Sequence, residues 1–442
     1  MMILRKKVLK LSPSQLLFYV FGIFILLGAI LLKLPFSVKE PISWLDAIFT
    51  STSAMTVTGL GVVDTPGTFT KIGQTIIVIL IQLGGLGIMS FAVLIFLMLG
   101  KKIGIKQRIV IQQALNQINM GGVIKLVKYL FFFSLSIEFI AMVILAIRWV
   151  PQFGWKEGLF DSFFHAISAF NNAGFALWSD SLMQFAGDPT VNVVITLLII
   201  IGGLGFTVLV DVFKKRNWTK LSLHSKIMII STLVVNIVSM FFIFLLEYGN
   251  PKTLGHLSLG DKIWTSYFQS ITTRTAGFNS IDIGSMNEST VFLFLILMFI
   301  GAGSASTGGG IKLTTFIVIG LTVISFIRGK DDVFIFRRTL RPSIVIKALS
   351  IAITSISIVV LAVFLLSITE HAPFVKILFE VVSAFGTVGL SMGLTGSLSF
   401  FGKIIIIIVM FAGKLGPLTL AYLITKPSKA NFKYPSEDVM TG

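Results

Sequence analysis

The sequence predicts an all-α polytopic membrane protein in which one unit recurs four times around a central pore. Three observations carry this. Hydrophobic residues make up 55% of the chain and charged residues only 12%, where soluble domains carry about 25%, and mean hydropathy is +0.94. Long apolar runs recur, each sufficient to cross a core of about 30 Å at about 1.5 Å per residue. Between pairs of runs lie four short polar segments that align on Gly59, Gly174, Gly277 and Gly389.

In register the segments read Ser-Ala-Met-Thr-Val-Thr-Gly-Leu (53–60), Ser-Ala-Phe-Asn-Asn-Ala-Gly-Phe (168–175), Ile-Thr-Thr-Arg-Thr-Ala-Gly-Phe (271–278) and Ser-Ala-Phe-Gly-Thr-Val-Gly-Leu (383–390). Ten residues before each glycine stands an aromatic: Phe49, Phe164, Tyr267 and Phe379. The glycines are 115, 103 and 112 residues apart, so the unit is supersecondary in size and not a short solenoid repeat. The predicted units are 1–110, 111–220, 221–335 and 336–442.

Taken in order, basic residues Arg5, Lys6, Lys7 and Lys10 precede a first apolar run at about 15–34. No cleavage site of the signal-peptide kind follows it, so it is expected to cross outward from a cytoplasmic N-terminus. A short half-apolar piece from about Trp44, the first glycine segment and a returning run at about 73–99 complete the unit. Outward runs near 125–147, 225–246 and 347–368 and returning runs near 191–213, 290–327 and 402–425 repeat the pattern. Between units lie Lys101, Lys102, Lys106 and Arg108; Lys214, Lys215, Arg216 and Lys220; and Arg328, Lys330, Arg337, Arg338 and Arg341. This asymmetry predicts cytoplasmic termini and linkers, and it accounts for the net charge of +17 without nucleic acid. The half-apolar pieces must then dip in from outside and return. Irregular backbone at membrane depth persists only where it is buried in protein or lines a watery cavity.

The segments suit cation passage. A permeating ion must exchange its hydration shell for protein oxygens, and backbone carbonyls serve where the chain adopts conformations that glycine tolerates. The expected lining is Thr56, Val57, Thr58 and Gly59; Asn171, Asn172, Ala173 and Gly174; Thr275, Ala276 and Gly277; and Thr387, Val388 and Gly389. Hydroxyls of Thr56, Thr58, Thr275 and Thr387 add further oxygens. Asn171 and Asn172 either line the mouth or brace the loop. Four dispersed histidines and no cysteine offer no metal-ligand spacing.

These features resemble the superfamily of bacterial potassium-uptake subunits of the Ktr and Trk types, related to plant HKT transporters, with the Ktr membrane subunits most similar. The resemblance covers nearly the whole chain. It rests on the four aligned glycines, on Thr-Arg-Thr-Ala-Gly-Phe-Asn (273–279) and on Gly-Ser-Ala-Ser-Thr-Gly-Gly-Gly-Ile-Lys (303–312). It implies eight transmembrane helices and four re-entrant pore loops in M1–P–M2 repeats, with passive, channel-like K⁺ uptake. Gly59, where sodium-transporting plant relatives have serine, favours K⁺. Only the fourth segment keeps Thr-Val-Gly, so selectivity looser than in tetrameric potassium channels is expected.

Residues 301–310 interrupt the third returning run with five glycines. The resemblance implies a gating loop here: Gly303, Ser304, Ala305, Ser306, Thr307, Gly308, Gly309 and Gly310, expected to obstruct the pore at rest. Lys312 is either a flank reaching the membrane surface or part of this gate. Lys414, inside an apolar run at an insertion cost of about 2.5–3.5 kcal/mol, is expected to place positive charge below the filter. The family usually has arginine there, and lysine lacks the planar donor fork. Arg274 is expected behind the filter as support, paired with an acid such as Glu380. Glu138, mid-run, is either an interhelical hydrogen-bonding group or a proton-coupling site.

No phosphate-binding loop of the Walker type is present, so the chain is not expected to bind nucleotide itself. The resemblance implies a homodimer, a cytosolic nucleotide-binding ring (KtrA) on the basic linkers, activation by ATP, inhibition by ADP and some Na⁺ dependence. Two rivals stay open: a Na⁺-permeable transporter of the same fold and a proton-coupled secondary transporter. No paired carboxylates or nucleophile–base set supports an enzyme.

Overall fold

The computed structural model describes residues 13–87 and 123–417, with 419, 435, 437 and 440 besides. The basic N-terminal residues, the end of the first returning run, the linker lysines at 101–106 with Arg108, and most of the tail lie outside the described residues.

The first long helix, α1 (Pro13–Lys33), precedes the short α2 (Trp44–Thr56) and α3 (Lys71–Leu86). The next group is α4 (Val123–Phe153), α5 (Trp155–Phe170), α6 (Pro189–Leu204) and α7 (Phe206–Lys215). Then come α8 (Leu223–Glu247), α9 (Leu259–Thr272), α10 (Glu288–Phe299) and α11 (Leu313–Ile327). A two-stranded hairpin, β1 (Phe334–Ile335) and β2 (Arg338–Thr339), leads to α12 (Pro342–Thr369), α13 (Phe374–Gly386) and α14 (Phe400–Leu415).

Among the described residues, four helices are long and apolar enough to cross a membrane: those within α1, α4, α8 and α12. Their outer faces carry bare apolar side chains, such as Leu26, Ile30, Ile147, Leu233, Ile353 and Phe364. Such a face is stable where the surroundings are as apolar as the side chain, which is the condition in lipid.

Local chemistry sets the helix starts. Ser43, Ser222, Ser258 and Ser399 accept a hydrogen bond from a first-turn N–H of α2, α8, α9 and α14. Asp188 accepts from Thr190 and Val191 at the start of α6, where Pro189 fills the first position. These caps satisfy amides that the helix cannot, and proline there loses nothing.

The returning helices end at glycines. α3, α6 and α14 stop before Gly87, Gly205 and Gly416, whose φ angles are +82°, +96° and +82°. At Gly205 the chain turns by 95° between α6 and α7. The expected continuous run at 191–213 is therefore corrected to a broken one. The cause is local: Gly205 holds a left-handed φ, and a Cβ there would overlap the Ser304 carbonyl. The third returning run breaks at 300–312, between α10 and α11.

The short helices pack cyclically. α5 lies against α3, α9 against α6, α13 against α10 and α2 against α14. Each short helix is thus held by the returning helix of the preceding unit, and the last contact closes the circle. An ion pair reinforces that closure: Lys403 Nζ on α14 lies 2.7 Å from Asp46 Oδ1 on α2.

Candidate ion-conduction site

Each short helix runs into its glycine segment through the same turn. The residue two before each glycine has positive φ: Val57 at +58°, Asn172 at +57°, Thr275 at +72° and Thr387 at +48°. The glycines follow at +91°, +69°, +78° and +93°. Val57, Thr275 and Thr387 are β-branched, for which this region is strained by about 1–3 kcal/mol each. The sign of φ thus alternates across each segment, a conformation that lets successive carbonyls face one side.

The four segments meet. A Cβ on Gly59 would lie 2.5 Å from the Ala173 carbonyl oxygen, and one on Gly174 would lie 2.9 Å from that of Ala276. On Gly277 and Gly389 it would overlap the carbonyls of Val388 and Thr58. Every glycine therefore adjoins the carbonyl preceding the next glycine, and the fourth returns to the first. Above the ring is a cavity of about 330 Å³, lined by all four glycines together with Asp64, Ser179 and Asn279 among others.

Serines hold three of the segments. Thr58, Ala173 and Val388 donate their N–H to the carbonyls of Ser53, Ser168 and Ser383, each at 2.8 Å. Ser53 and Ser383 hydroxyls accept from Gly59 and Gly389 N–H, both at 3.1 Å, while Ser168 Oγ donates to the Phe175 carbonyl at 2.8 Å. The third segment has no serine at this position. There Ala276 N–H bonds Thr272 O at 3.0 Å, and Thr272 Oγ1 donates to Phe278 O. The sequence shows these serines in register, but their capping role emerges only with the coordinates.

The segments differ beneath the ring. Thr56 and Thr58 hydroxyls bond each other at 2.8 Å. Asn172 Nδ2 donates to Thr275 Oγ1, and Thr307 Oγ1 donates to Asn172 Oδ1, both at 3.3 Å. Asn171 faces the other way, toward Gln82 on α3 and Glu138 on α4. Asn171 therefore braces its loop, while Asn172 faces downward.

Residues 301–312 lie directly below. Gly309 N–H donates to Thr387 Oγ1 at 2.9 Å, and a Cβ on Gly308 would overlap Thr275 Oγ1. Gly303 N–H bonds Gly203 O at 2.8 Å, Thr307 N–H bonds Gly202 O at 3.3 Å, and Phe206 N–H bonds Ala305 O at 2.8 Å. Gly301 N–H bonds Ile311 O at 2.8 Å and draws the loop's ends together, while Gly310 packs on Gly386. Ser304 Oγ reaches Thr314, whereas Ser306 Oγ is buried without a partner. Two lysines hold the loop's carbonyls. Lys312 Nζ bonds Gly308 O at 2.7 Å, and Lys414 Nζ reaches from α14 to Thr307 O at 2.5 Å. Both ammonium groups turn inward and neither extends to the membrane surface.

Arg274 and Glu380 do not pair. Arg274 Nη1 bonds Asn236 Oδ1 on α8 at 3.2 Å. Glu380 accepts from Ser391 at 2.7 Å and from Thr395. The expected ion pair is corrected for a geometric reason. Arg274 follows the end of α9 and faces α6 and α8, while Glu380 sits mid-way along α13 beneath the loop that follows the fourth segment. Both residues are buried. Gln82 and Asn236 were not singled out in the sequence, although a lone polar amide within an apolar run is a legible signal.

The TrkH family profile, described as "Cation transport protein", matches residues 19–434. The chain is 59% identical over 436 residues to Ktr system potassium uptake protein B of Bacillus subtilis, covering 99% of this chain and 98% of that one. It is 45% identical over 435 residues to the protein of that name from Vibrio alginolyticus, covering 98% and 95%. It is 41% identical over 452 residues to the potassium/sodium uptake protein NtpJ of Enterococcus hirae, covering 100% of both. The crystal structure of the potassium transporter TrkH from Vibrio parahaemolyticus shares the fold, with a TM-score of 0.72 at 22% identity, covering 92% of this chain and 84% of that one. By profile, by identity over its whole length and by fold, the chain belongs to the TrkH family of cation transport proteins.

Proposed function

We propose that this chain is the ion-translocating subunit of a Ktr-type potassium-uptake system in the cell membrane. The observation that carries the reading is the closed ring in which each glycine adjoins its neighbour's carbonyl. Oxygens so arranged replace the hydration shell of K⁺. On this reading the four units are M1–P–M2 repeats, giving eight spans and four re-entrant loops. The residues at 56–59, 172–174, 275–277 and 387–389 form the filter, with Asn171 bracing the second segment from behind. The loop 303–310, with Lys312 and Lys414, is its gate and closes the passage from below. Flux runs down the electrochemical gradient, with about 2.3 kcal/mol per charge for each 100 mV of membrane potential.

Uptake proteins that share this much sequence and bear Ktr names support K⁺ as the cargo and membership of a Ktr system; a homodimer and control by a cytosolic ATP/ADP-responsive KtrA ring docked on the basic linkers complete the proposal. The name of NtpJ favours a second reading, in which Na⁺ also passes or modulates flux.

The test is cation flux into liposomes holding this protein alone, driven by a K⁺ gradient, with Rb⁺, Na⁺ and Li⁺ as competitors. Flux favouring K⁺ and Rb⁺, and rising when residues 303–310 are deleted, supports the filter and the gate. Flux that requires a pH gradient overturns the channel reading.

A further inference from the structure

Glu138 sits midway along α4, 4% exposed, among lipid-facing and core aliphatics. An acid at membrane depth is retained only where something specific holds it. No lysine or arginine lies within ion-pairing distance of it among the described residues. Its partners are amides. Gln82 Nε2 on α3 donates to both carboxyl oxygens, at 3.0 and 2.9 Å. Asn171 Nδ2 lies 3.4 Å from Glu138 Oε1 and donates to Gln82 Oε1 at 2.6 Å and to Ile167 O at 2.9 Å.

Asn171 is the C-cap of α5, and the ring segment begins one residue later with Asn172 in the left-handed region. Two residues after Asn171 comes Ala173, whose carbonyl adjoins Gly59. The position of Asn171 therefore fixes where α5 ends and where that carbonyl points. At the equivalent position the other segments differ. Thr56 bonds its own helix at Thr52 O, Arg274 bonds Asn236, and the fourth segment has Gly386. The second segment alone is tied to a carboxylate through two amides. α3 approaches so closely at this point that a Cβ on Gly85 would overlap Asn171 Oδ1.

We propose that Glu138 is a positioning residue for the second filter segment: through Gln82 and Asn171 it holds the Ala173 carbonyl beside Gly59 and thereby sets discrimination between K⁺ and Na⁺. This rests on the filter reading above. The carboxylate acts as a fixed acceptor for amide N–H groups, and no proton is transferred in the transport cycle. Glu138→Gln keeps the size but replaces one acceptor oxygen with a donor that meets Gln82 Nε2. Exchanging the groups, Gln82→Glu with Glu138→Gln, restores a donor–acceptor match, because Asn171 Nδ2 already lies 2.6 Å from the oxygen of residue 82.

The experiment measures Rb⁺ flux into liposomes against Na⁺ competition for the parent chain, Glu138→Gln, the exchanged double variant and, as a control on the filter itself, Gly174→Ser. The expected result is a loss of discrimination by about 3- to 30-fold in Glu138→Gln, recovered in the double variant, with Gly174→Ser impaired as well. Discrimination unchanged in Glu138→Gln but lost in Gly174→Ser overturns the positioning role alone. Discrimination unchanged in both overturns the filter reading. A loss that the exchange does not recover also overturns positioning, since the carboxylate would then act at its own site. If Glu138→Gln does not reach the membrane, the double variant decides: parental discrimination supports the proposal and altered discrimination overturns it.

Discussion

Lys414 Nζ on α14 lies 2.5 Å from the Thr307 carbonyl oxygen in the loop that follows α10. The contact joins the fourth returning helix to the interruption of the third. A hydrogen bond to a charged group is worth about 1.5–3 kcal/mol, or about a ten- to hundredfold change in a two-state population. Lys414→Met keeps the chain length and removes the bond and the charge, so both effects act in the same direction. Basal K⁺ flux from protein alone is expected to rise about tenfold or more, while Lys414→Arg keeps it low. A Lys414→Met variant with parental flux and normal membrane abundance contradicts a holding role for this bond.

Gly389→Ser tests the ring at its closure. A Cβ there overlaps the Thr58 carbonyl, and φ of +93° is unfavourable for any L side chain. Of the two costs the carbonyl displacement decides selectivity, because on the proposed filter reading it moves an oxygen that the ion would use. The expected outcome is protein at near-parental abundance with K⁺ preference over Na⁺ reduced by about tenfold, the order that one misplaced ligand of about 1.4 kcal/mol produces. Competition by Na⁺ in Rb⁺ flux is the measurement, and unchanged preference would separate Gly389 from the ion path.

The glycine register, the long apolar runs and the break after Phe299 were legible because each leaves a periodic or compositional trace. Other features left only a partial one. Gly84-Gly-Leu-Gly87 and Gly202-Gly-Leu-Gly205 resemble the small-residue contacts common between membrane helices, and nothing in composition says that Gly205 turns the chain by 95°. The separation of Arg274 from Glu380 is not legible, because spacing along two helices does not give their relative rotation. Arg274 faces Asn236 while Glu380 faces Ser391 and Thr395. Lys312 is ambiguous in the sequence because a lysine flanking an apolar run can extend or turn inward, and it is the buried carbonyls of Gly308 and Gly309 that draw it in.

Ser383→Ala is expected to weaken the fourth segment. Ser383 Oγ accepts from Gly389 N–H at 3.1 Å, and the hydroxyl is buried. Leaving that amide without an acceptor costs about 1–3 kcal/mol. The Ser383 carbonyl still accepts from Val388 N–H, so the segment loosens without unfolding. A lower thermal unfolding temperature in detergent is expected, and saturating K⁺ should recover part of it, since an ion bound to the folded state stabilises it by mass action. No change in either quantity would mean that the bond contributes nothing to the segment's shape.

The Asp46–Lys403 pair offers a separate test of how the circle closes. Its side chains are 16% and 18% exposed, so it is neither a screened surface pair nor a fully desolvated one. Asp46 also accepts from Ser43 Oγ at 2.7 Å, and its place in the first turn of α2 favours negative charge there. Asp46→Asn keeps the side chain's shape but leaves Lys403 without its charged partner, at an expected cost of about 1–3 kcal/mol. Removing the partner of a fully buried pair costs more, about 3–5 kcal/mol, and exposed pairs contribute about 0–1 kcal/mol. Reversing both charges, Asp46→Lys with Lys403→Asp, recovers only part of the loss, because a cation then stands in the first turn of α2. Thermal unfolding of the single, double and parent proteins measures this. Full additivity of Asp46→Lys and Lys403→Asp, each measured alone and together, would show that the pair does not bind the first unit to the last.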